Sequence, residues 1–452
     1  MCYDGPKPPA GRGPAGRAAP PGRAHERMKP LNKRLEILPD VFLTAEQSDK
    51  FKTGSLSLSL LRPLSRAEAS ANALIPAVLL RGCRGCPDIR AISAFLDDHC
   101  GASVGVLVRK KGEVQTTGFY SVFLEDCFSP DGSPVLAPVI DLLGRLLLEP
   151  VLEGGVFVPA WVEGERQNLL NTIDARINNK AGYAMSQMFK AMCAGEAYGV
   201  PRLGERADAE ALTAEGLYGW YRQLLARSRV ELFYHGRCPG EEVAELLRAA
   251  LRELPRAVPD AYGTDASPRA GTVREVREQL DVTQGKLSMG FRLGCTAAEE
   301  TYPAALVMNA VYGAGVTSKL FTNVREKMSL CYYANSSLEK FKGVMAVSSG
   351  IEFDQFDTAR AEILRQLDAV RAGEISEAEL EAARRSLLSS LKTGMDSPGR
   401  LEDYALGQVL LGRAGTMEDL ARQVAAVTAE EAAAAARRVE LDTVYFLEGV
   451  PS

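Results

Sequence analysis

The sequence predicts an α+β protein made of two repeated halves, each a mainly antiparallel sheet with helices packed on one face. Three observations predict this. An alternating strand opens each half, Leu56-Ser-Leu-Ser-Leu60 in the first and Leu287-Ser-Met-Gly-Phe291 in the second. A Thr-Ala-Glu helix opener closes each half, at Thr213 to Glu215 and at Thr428 to Glu430. Between them the run RELPRAVPDAYGTDASPRAGT, residues 252–272, is dense in Pro, Gly, Asp and Ala and has no apolar period, as a linker would. The expected units are a first half over 35–251 and a second over 273–452.

The elements follow in the same order in both halves. Each opening strand leads into a polar turn with acidic residues, Ser65 to Glu68 and Thr296 to Glu300, and then a helical stretch of small apolar residues, 71–80 and 304–312. A second helix running into a strand comes next, Ile89 to Asp98 before 102–108, and Lys319 to Lys327 before 330–336. The two closing helices lead into Val230-Glu-Leu-Phe-Tyr and Thr443-Val-Tyr-Phe-Leu. Thr428 with Glu431, and Ser376 with Glu379, have the spacing of capping boxes, in which a hydroxyl and a carboxylate satisfy free amides at a helix start. The helix from Ser376 runs through Leu391.

Composition narrows the function classes. The chain has 452 residues, 46% hydrophobic and 25% charged, as soluble globular proteins do. Its net charge of -5 argues against a general affinity for nucleic acid or anionic membrane. No apolar run of about 20 residues suggests a spanning helix. Residues 1–34 are basic and rich in Pro and Gly, read as a disordered tail, and MKPLNKRLEILPD from Met28 resembles the start of a folded sequence. With no signal-peptide core in that tail, the expected compartment is the cytoplasm.

Nine cysteines, an odd number without regular spacing, do not form a disulfide framework. Cys83-Arg-Gly-Cys86 with His99-Cys100 would make a zinc knuckle only if all four converged across a rigid helix, so ordinary thiols are expected. The only histidines, His25, His99 and His235, are far apart, and His235 reads as a strand-end residue. Neither metal nor cofactor is expected. Tyr312-Gly-Ala-Gly-Val-Thr-Ser-Lys319 lacks the spacing of a phosphate loop and reads as a tight turn between helices.

Two stretches carry the functional argument: Ala73-Leu-Ile-Pro76-Ala77, trailed by Leu79-Leu-Arg-Gly-Cys83, and Arg325-Glu-Lys-Met-Ser-Leu-Cys-Tyr332. With the repeated halves, they make the chain resemble the insulinase/pitrilysin family of zinc peptidases, of the mitochondrial-processing-peptidase type, from about residue 35 onward. The resemblance implies that His-x-x-Glu-His would fall on Ala73 to Ala77. There two histidines on one helical face would bind zinc and the glutamate would deprotonate its water. Ala73 and Ala77 offer no lone pair, and Pro76 cannot accept a proton. The family's downstream glutamate ligand falls on Asn171 or Thr172, neither a carboxylate. Proline within a helix costs about 3 kcal/mol, so the helix is expected to start late or kink at Pro76.

In the second half the resemblance implies that Arg325 and Tyr332, seven residues apart, hold a peptide substrate through hydrogen bonds to a carbonyl and a developing oxyanion. Tyr333 would point to the opposite sheet face. The plainer alternative is an Arg325 surface ion pair and a Tyr332 packed in the sheet. The expectation is a subunit, inactive alone, of a peptidase completed by a zinc-motif-bearing relative, or by self-association. The group most resembled is the bacterial insulinase-like proteins associated with 5-aminopentanol modification of elongation factor P. A structural or peptide-binding scaffold of the same fold is the alternative. A cysteine hydrolase ranks below both, because no Cys has a histidine in a recognisable partner context.

Overall fold

The computed structural model describes residues 34–449; the tail expected over 1–34 and His25 lie outside them, except for Arg34, which opens the first strand. The first half runs β1 (Arg34–Leu38), β2 (Val41–Gln47), β3 (Thr53–Pro63), α1 (Arg66–Leu79), α2 (Ile89–Asp98), β4 (Ser103–Lys111) and β5 (Val114–Leu124). It continues through α3 (Leu136–Leu148), the small ribbon β6 (Leu152–Glu153) and β7 (Val156–Phe157), then α4 (Pro159–Asp174), α5 (Lys180–Met192), α6 (Arg206–Glu210), α7 (Ala214–Arg227), β8 (Arg229–Gly236) and α8 (Gly240–Ala250). The second half runs β9 (Arg274–Leu280), β10 (Gly285–Arg292), α9 (Tyr302–Tyr312), a π-helical segment over Leu320–Lys327, β11 (Cys331–Glu339) and β12 (Val344–Ile351). It ends with α10 (Phe356–Arg371), α11 (Glu377–Gly394), α12 (Pro398–Leu410), α13 (Met417–Ala426), α14 (Ala429–Arg437) and β13 (Glu440–Gly449).

The two large sheets share one topology. The first has the order β1-β2-β8-β3-β5-β4 and the second β11-β12-β10-β13-β9. Read in reverse, the second matches the first without β1. Each carries one parallel pair, β2 with β8 and β13 with β9, and is otherwise antiparallel. Ser376 and Thr428 each complete the expected capping box, and Thr213 accepts from the amide of Gly216. Leu56, Leu58 and Leu60 enter one core with α1, α3 and α7, while Leu287, Met289 and Phe291 enter another with α9, α10 and α14.

Alternation of apolar and polar residues in the opening strands implies one buried and one solvent face, yet both faces are covered. Ser55, Ser57 and Ser59 on the second face of β3 are 2–3% exposed, and Ser288 of β10 is fully covered. The cause is an exchange of helices between halves. Helix α12 of the second half lies on the first sheet, with Leu406 against Leu61 and Val114. There Glu402 accepts from Ser57 Oγ at 3.1 Å and from Arg109 Nη1 at 2.6 Å. Helix α5 of the first half lies on the second sheet, its Ala184, Met188 and Met192 clustering with Val344, Ala346, Tyr445 and Leu447. A Cβ at Gly290 would sit 2.3 Å from Met188 Sδ, so β10 needs glycine there for α5 to seat.

Buried charge locks the same contact. Lys342 Nζ lies 2.6 Å from carboxylate oxygens of both Glu113 and Glu196, and Arg292 pairs with Glu196 at 2.6 Å and Asp442 at 2.9 Å. The segment 252–272 has no helix or strand, yet it is tied down: Asp260 pairs with Arg62 at 2.8 Å, and Glu113 holds both Thr264 and Asp265. No helix of the described residues is long and apolar enough to cross a membrane.

Candidate functional site

The first candidate stretch lies in α1, which starts ten residues before Pro76 and continues through it to Leu79. The late start expected from proline is therefore not what the chain does. Pro76 lacks the N–H that would reach the Asn72 carbonyl four residues back. Thr117 of β5 replaces it, its Oγ1 donating to Asn72 O at 2.7 Å in a buried contact. The neighbouring Asn72 Nδ2 donates to Gln115 Oε1 at 3.1 Å, and Gln115 Nε2 donates to the Ala69 and Arg202 carbonyls. A polar strut from β5 thus supports the helix where its own ladder is broken.

Ala73 is 6% exposed and packs in the first core; Pro76 is buried and Ala77 half-buried. Asn171 and Thr172 lie exposed on α4 and are satisfied locally, Asn171 Oδ1 by Gln167 Nε2 at 2.9 Å and Thr172 Oγ1 by the Asn168 carbonyl at 2.8 Å. Glu165, on the same helix, is held by Arg81 at 3.0 Å. Methyl groups and a pyrrolidine ring cannot coordinate zinc, so the side chains at these positions do not fit the metal.

The cysteine motif is structural. Cys83 and Cys86 are buried and close a tight turn by exchanging backbone hydrogen bonds, Cys83 N to Cys86 O at 2.8 Å and the reverse at 3.0 Å. Burial pushes the Cys83 thiol up to about 11, against the opposing charge of Arg145. His99 stacks on Phe95 with ring centroids 4.2 Å apart, and Cys100 is exposed. Among the described residues no three His, Cys, Asp or Glu side chains are grouped to hold a metal. His235 is the strand-end residue expected, 2% exposed beside Phe51, and burial lowers its pKa.

The second candidate stretch has a different character. Leu320 and Val324 of the π-helical segment are fully buried, which turns Arg325 outward. The wide turn is closed by Met328 N to Asn323 O at 3.1 Å, and Asn323 Nδ2 donates to Gln366 Oε1 at 2.7 Å. Such segments are rare and concentrate at functional sites. The Arg325 guanidinium sits 4.6 Å over the Phe321 ring and has no carboxylate within ion-pair distance. The surface ion pair offered as its plainer role is absent among the described residues.

Ser329 takes a left-handed φ of 53° on the way into β11. There Tyr332 is the extra residue of a β-bulge: Cys331 pairs with Ile351 and Tyr333 with Gly350. The bulge turns Tyr332 out to 64% exposure, where its hydroxyl donates to Glu352 Oε1 at 3.1 Å and is held above the ordinary phenol range by that carboxylate. Tyr333 points inward, its ring over the bare Cα of Gly350. Arg325 and Tyr332 share no hydrogen bond; they flank Cys331, whose thiol burial raises and the Arg325 charge opposes. The π-helical geometry and the bulge were invisible to sequence reading, because neither has a residue signature here.

Comparison with known proteins settles the family. The probable inactive metalloprotease YmfF of Bacillus subtilis is 32% identical over 403 residues, covering 89% of this chain and 94% of that protein. The chain belongs to the M16 peptidase family. A family model described as the peptidase M16 inactive domain matches residues 211–387, which include Arg325 and Tyr332. An uncharacterized zinc protease of Mycobacterium tuberculosis is 28% identical over 316 residues, 68% of this chain and 70% of the relative. Among solved structures, a conserved protein from Enterococcus faecalis V583 superposes with a TM-score of 0.87 at 26% identity, covering 93% of this chain and 99% of that one. A peptidase M16 inactive domain from Pseudomonas fluorescens gives 0.76 at 16% identity, over 93% and 98%, and shows the shared fold. This M16 chain is peptidase-like and of the inactive type.

Proposed function

We propose that this M16 chain is the non-catalytic subunit of a two-protein peptidase, with Arg325 and Tyr332 holding the peptide substrate of a zinc-motif-bearing partner of the same fold. The observation that carries the reading is the contrast between the two halves. Ala73 and Pro76, where the resemblance would put zinc chemistry, are buried and Ala77 is half-buried, whereas Arg325 and Tyr332 are turned outward by a π-helical segment and a bulge. A residue kept only for packing gains nothing from either device. A guanidinium without a carboxylate partner keeps its donors for a peptide carbonyl, and a phenol held by Glu352 is oriented to accept or exchange a hydrogen bond. Of the ten exposed large apolar residues among those described, Met328 and Tyr332 fall within this stretch and Phe353 adjoins Glu352, the partner of Tyr332, which supports a docking face.

The partner is a heterologous M16 chain in this reading, with self-association as the variant. The cytoplasm, and a place beside elongation factor P modification, are carried by the sequence resemblance. The test is a peptidase assay on the chain alone, on a zinc-motif-bearing M16 partner alone, and on the mixture. Cleavage is expected in the mixture and should fall at least tenfold with Arg325→Ala or Tyr332→Phe. Unchanged cleavage with both substitutions would leave the scaffold reading standing instead.

A further inference from the structure

A cavity of about 290 Å³ opens among α9, α11, α12 and α13, on the helical side of the second half. That volume is close to the lower end of small-ligand pockets, roughly 300–1,000 Å³. Its wall is apolar, and five of its leucines, Leu306, Leu387, Leu391, Leu411 and Leu420, are only half-buried, because the face they turn to the cavity has no protein to cover it. It is distinct from the Arg325/Tyr332 stretch. Lys340, one of its two basic residues with Arg413, follows the far end of β11, eight residues beyond Tyr332, or about 26 Å along an extended strand.

The charges around this cavity are accounted for with one exception. Glu299 accepts the Thr296 amide at 2.8 Å and pairs with Arg438. Asp419 caps α13 through Thr416 at 2.8 Å. Arg413 Nη1 donates to the Ala298 carbonyl at 3.1 Å. Neither Arg413 nor Lys340 has a carboxylate within ion-pair distance among the described residues, but carbonyls serve the Arg413 guanidinium, whereas the Lys340 ammonium has the Phe341 ring at 5.1 Å. The nearest counter-charges are committed elsewhere, Asp403 to Lys111 at 2.5 Å and Glu339 to the amides of Phe341 and Lys342. Burial, with Lys111 nearby, lowers the Lys340 pKa, as expected of an ammonium left without an anion.

We propose that this cavity binds a small molecule with an apolar body and a single carboxylate, the carboxylate pairing with Lys340 and the body lying against the leucines. A carboxylate there supplies the missing counter-charge, and an apolar chain covers surface that now faces water. Tyr404 and Gln408 in the wall belong to α12, the helix exchanged onto the first sheet, so occupancy also braces the contact between halves.

The probes are decanoate and the uncharged decanol, titrated calorimetrically into the full-length chain. Decanoate is expected to bind the wild type and to bind Lys340→Met at least tenfold more weakly, while decanol binds the two alike. Leu306→Trp, which fills the cavity, should abolish both, and circular dichroism confirms that each variant is folded. Absence of decanoate binding by the wild type overturns the proposal, as does equal decanoate affinity in Lys340→Met. Binding that survives Leu306→Trp places the ligand elsewhere and overturns it too.

Discussion

Thr117 is predicted to do the work of the hydrogen bond that Pro76 deletes from α1. Its side chain is 1% exposed and its hydroxyl lies 2.7 Å from the Asn72 carbonyl, with no water-facing route by which that carbonyl could be served instead. Thr117→Val keeps the shape and removes the donor, leaving a buried acceptor unsatisfied at about 1–3 kcal/mol. In a Pro76→Ala background the restored amide of residue 76 reaches the same carbonyl. There Thr117→Val should cost only the net worth of one hydrogen bond, about 0.5–1 kcal/mol. The two substitutions are thus coupled by roughly 1–2 kcal/mol. Urea denaturation of the four proteins, followed by far-ultraviolet circular dichroism, measures the cycle. Additivity within about 0.3–0.5 kcal/mol would refute the assignment, since distant, independent sites behave that way.

Other outcomes follow from the contact between the halves. Arg292→Met leaves the buried Asp442 carboxylate without its cation and takes one of two from the half-buried Glu196, and should destabilise by about 3–5 kcal/mol in the same denaturation assay. Residues 34–251 expressed alone lack α12 over the first sheet, so their amide NMR spectrum should stay poorly dispersed until residues 252–449 are co-expressed. Burial pushes the Lys110 ammonium down to about 8 from an ordinary 10.5, so between these values the unfolded chain binds the proton more tightly than the folded one. The penalty is present below pH 8 and disappears as pH rises to 10.5. Wild-type stability should therefore gain on that of Lys110→Met across this window, by up to about 1.4 kcal/mol per pH unit. A gain in the opposite direction would reverse the assigned sign.

Much of the fold is legible in the residues because it is local. The Ser-Leu alternation of 55–60, its echo at 287–291, and the hydroxyl-to-glutamate spacings at Ser376 and Thr428 each specify an element within a few positions. What the sequence hid is long-range. Nothing within α5 or α12 says that each will cross to the other half's sheet, so the serines of β3 look solvent-facing until Glu402 and Leu406 cover them. Nor does the sequence around Pro76 announce that Thr117, forty-one residues away, will serve the freed carbonyl, which is why the expected late start of α1 does not occur. At the candidate site, the chemistry of Ala73, Pro76 and Ala77 can be read from residue type alone. The outward turn of Arg325 and Tyr332 depends on a π-helical segment and a bulge that residue type does not encode.

Whether this chain lends a substrate grip to a zinc-bearing partner can be decided by a complementation assay. A zinc-motif-bearing M16 partner whose own Arg/Tyr pair has been replaced is mixed with the wild-type chain or with Arg325→Ala/Tyr332→Phe, and peptide cleavage is measured. Cleavage is expected with the wild-type chain and at least a tenfold loss with the double variant. Equal cleavage in both mixtures would contradict it.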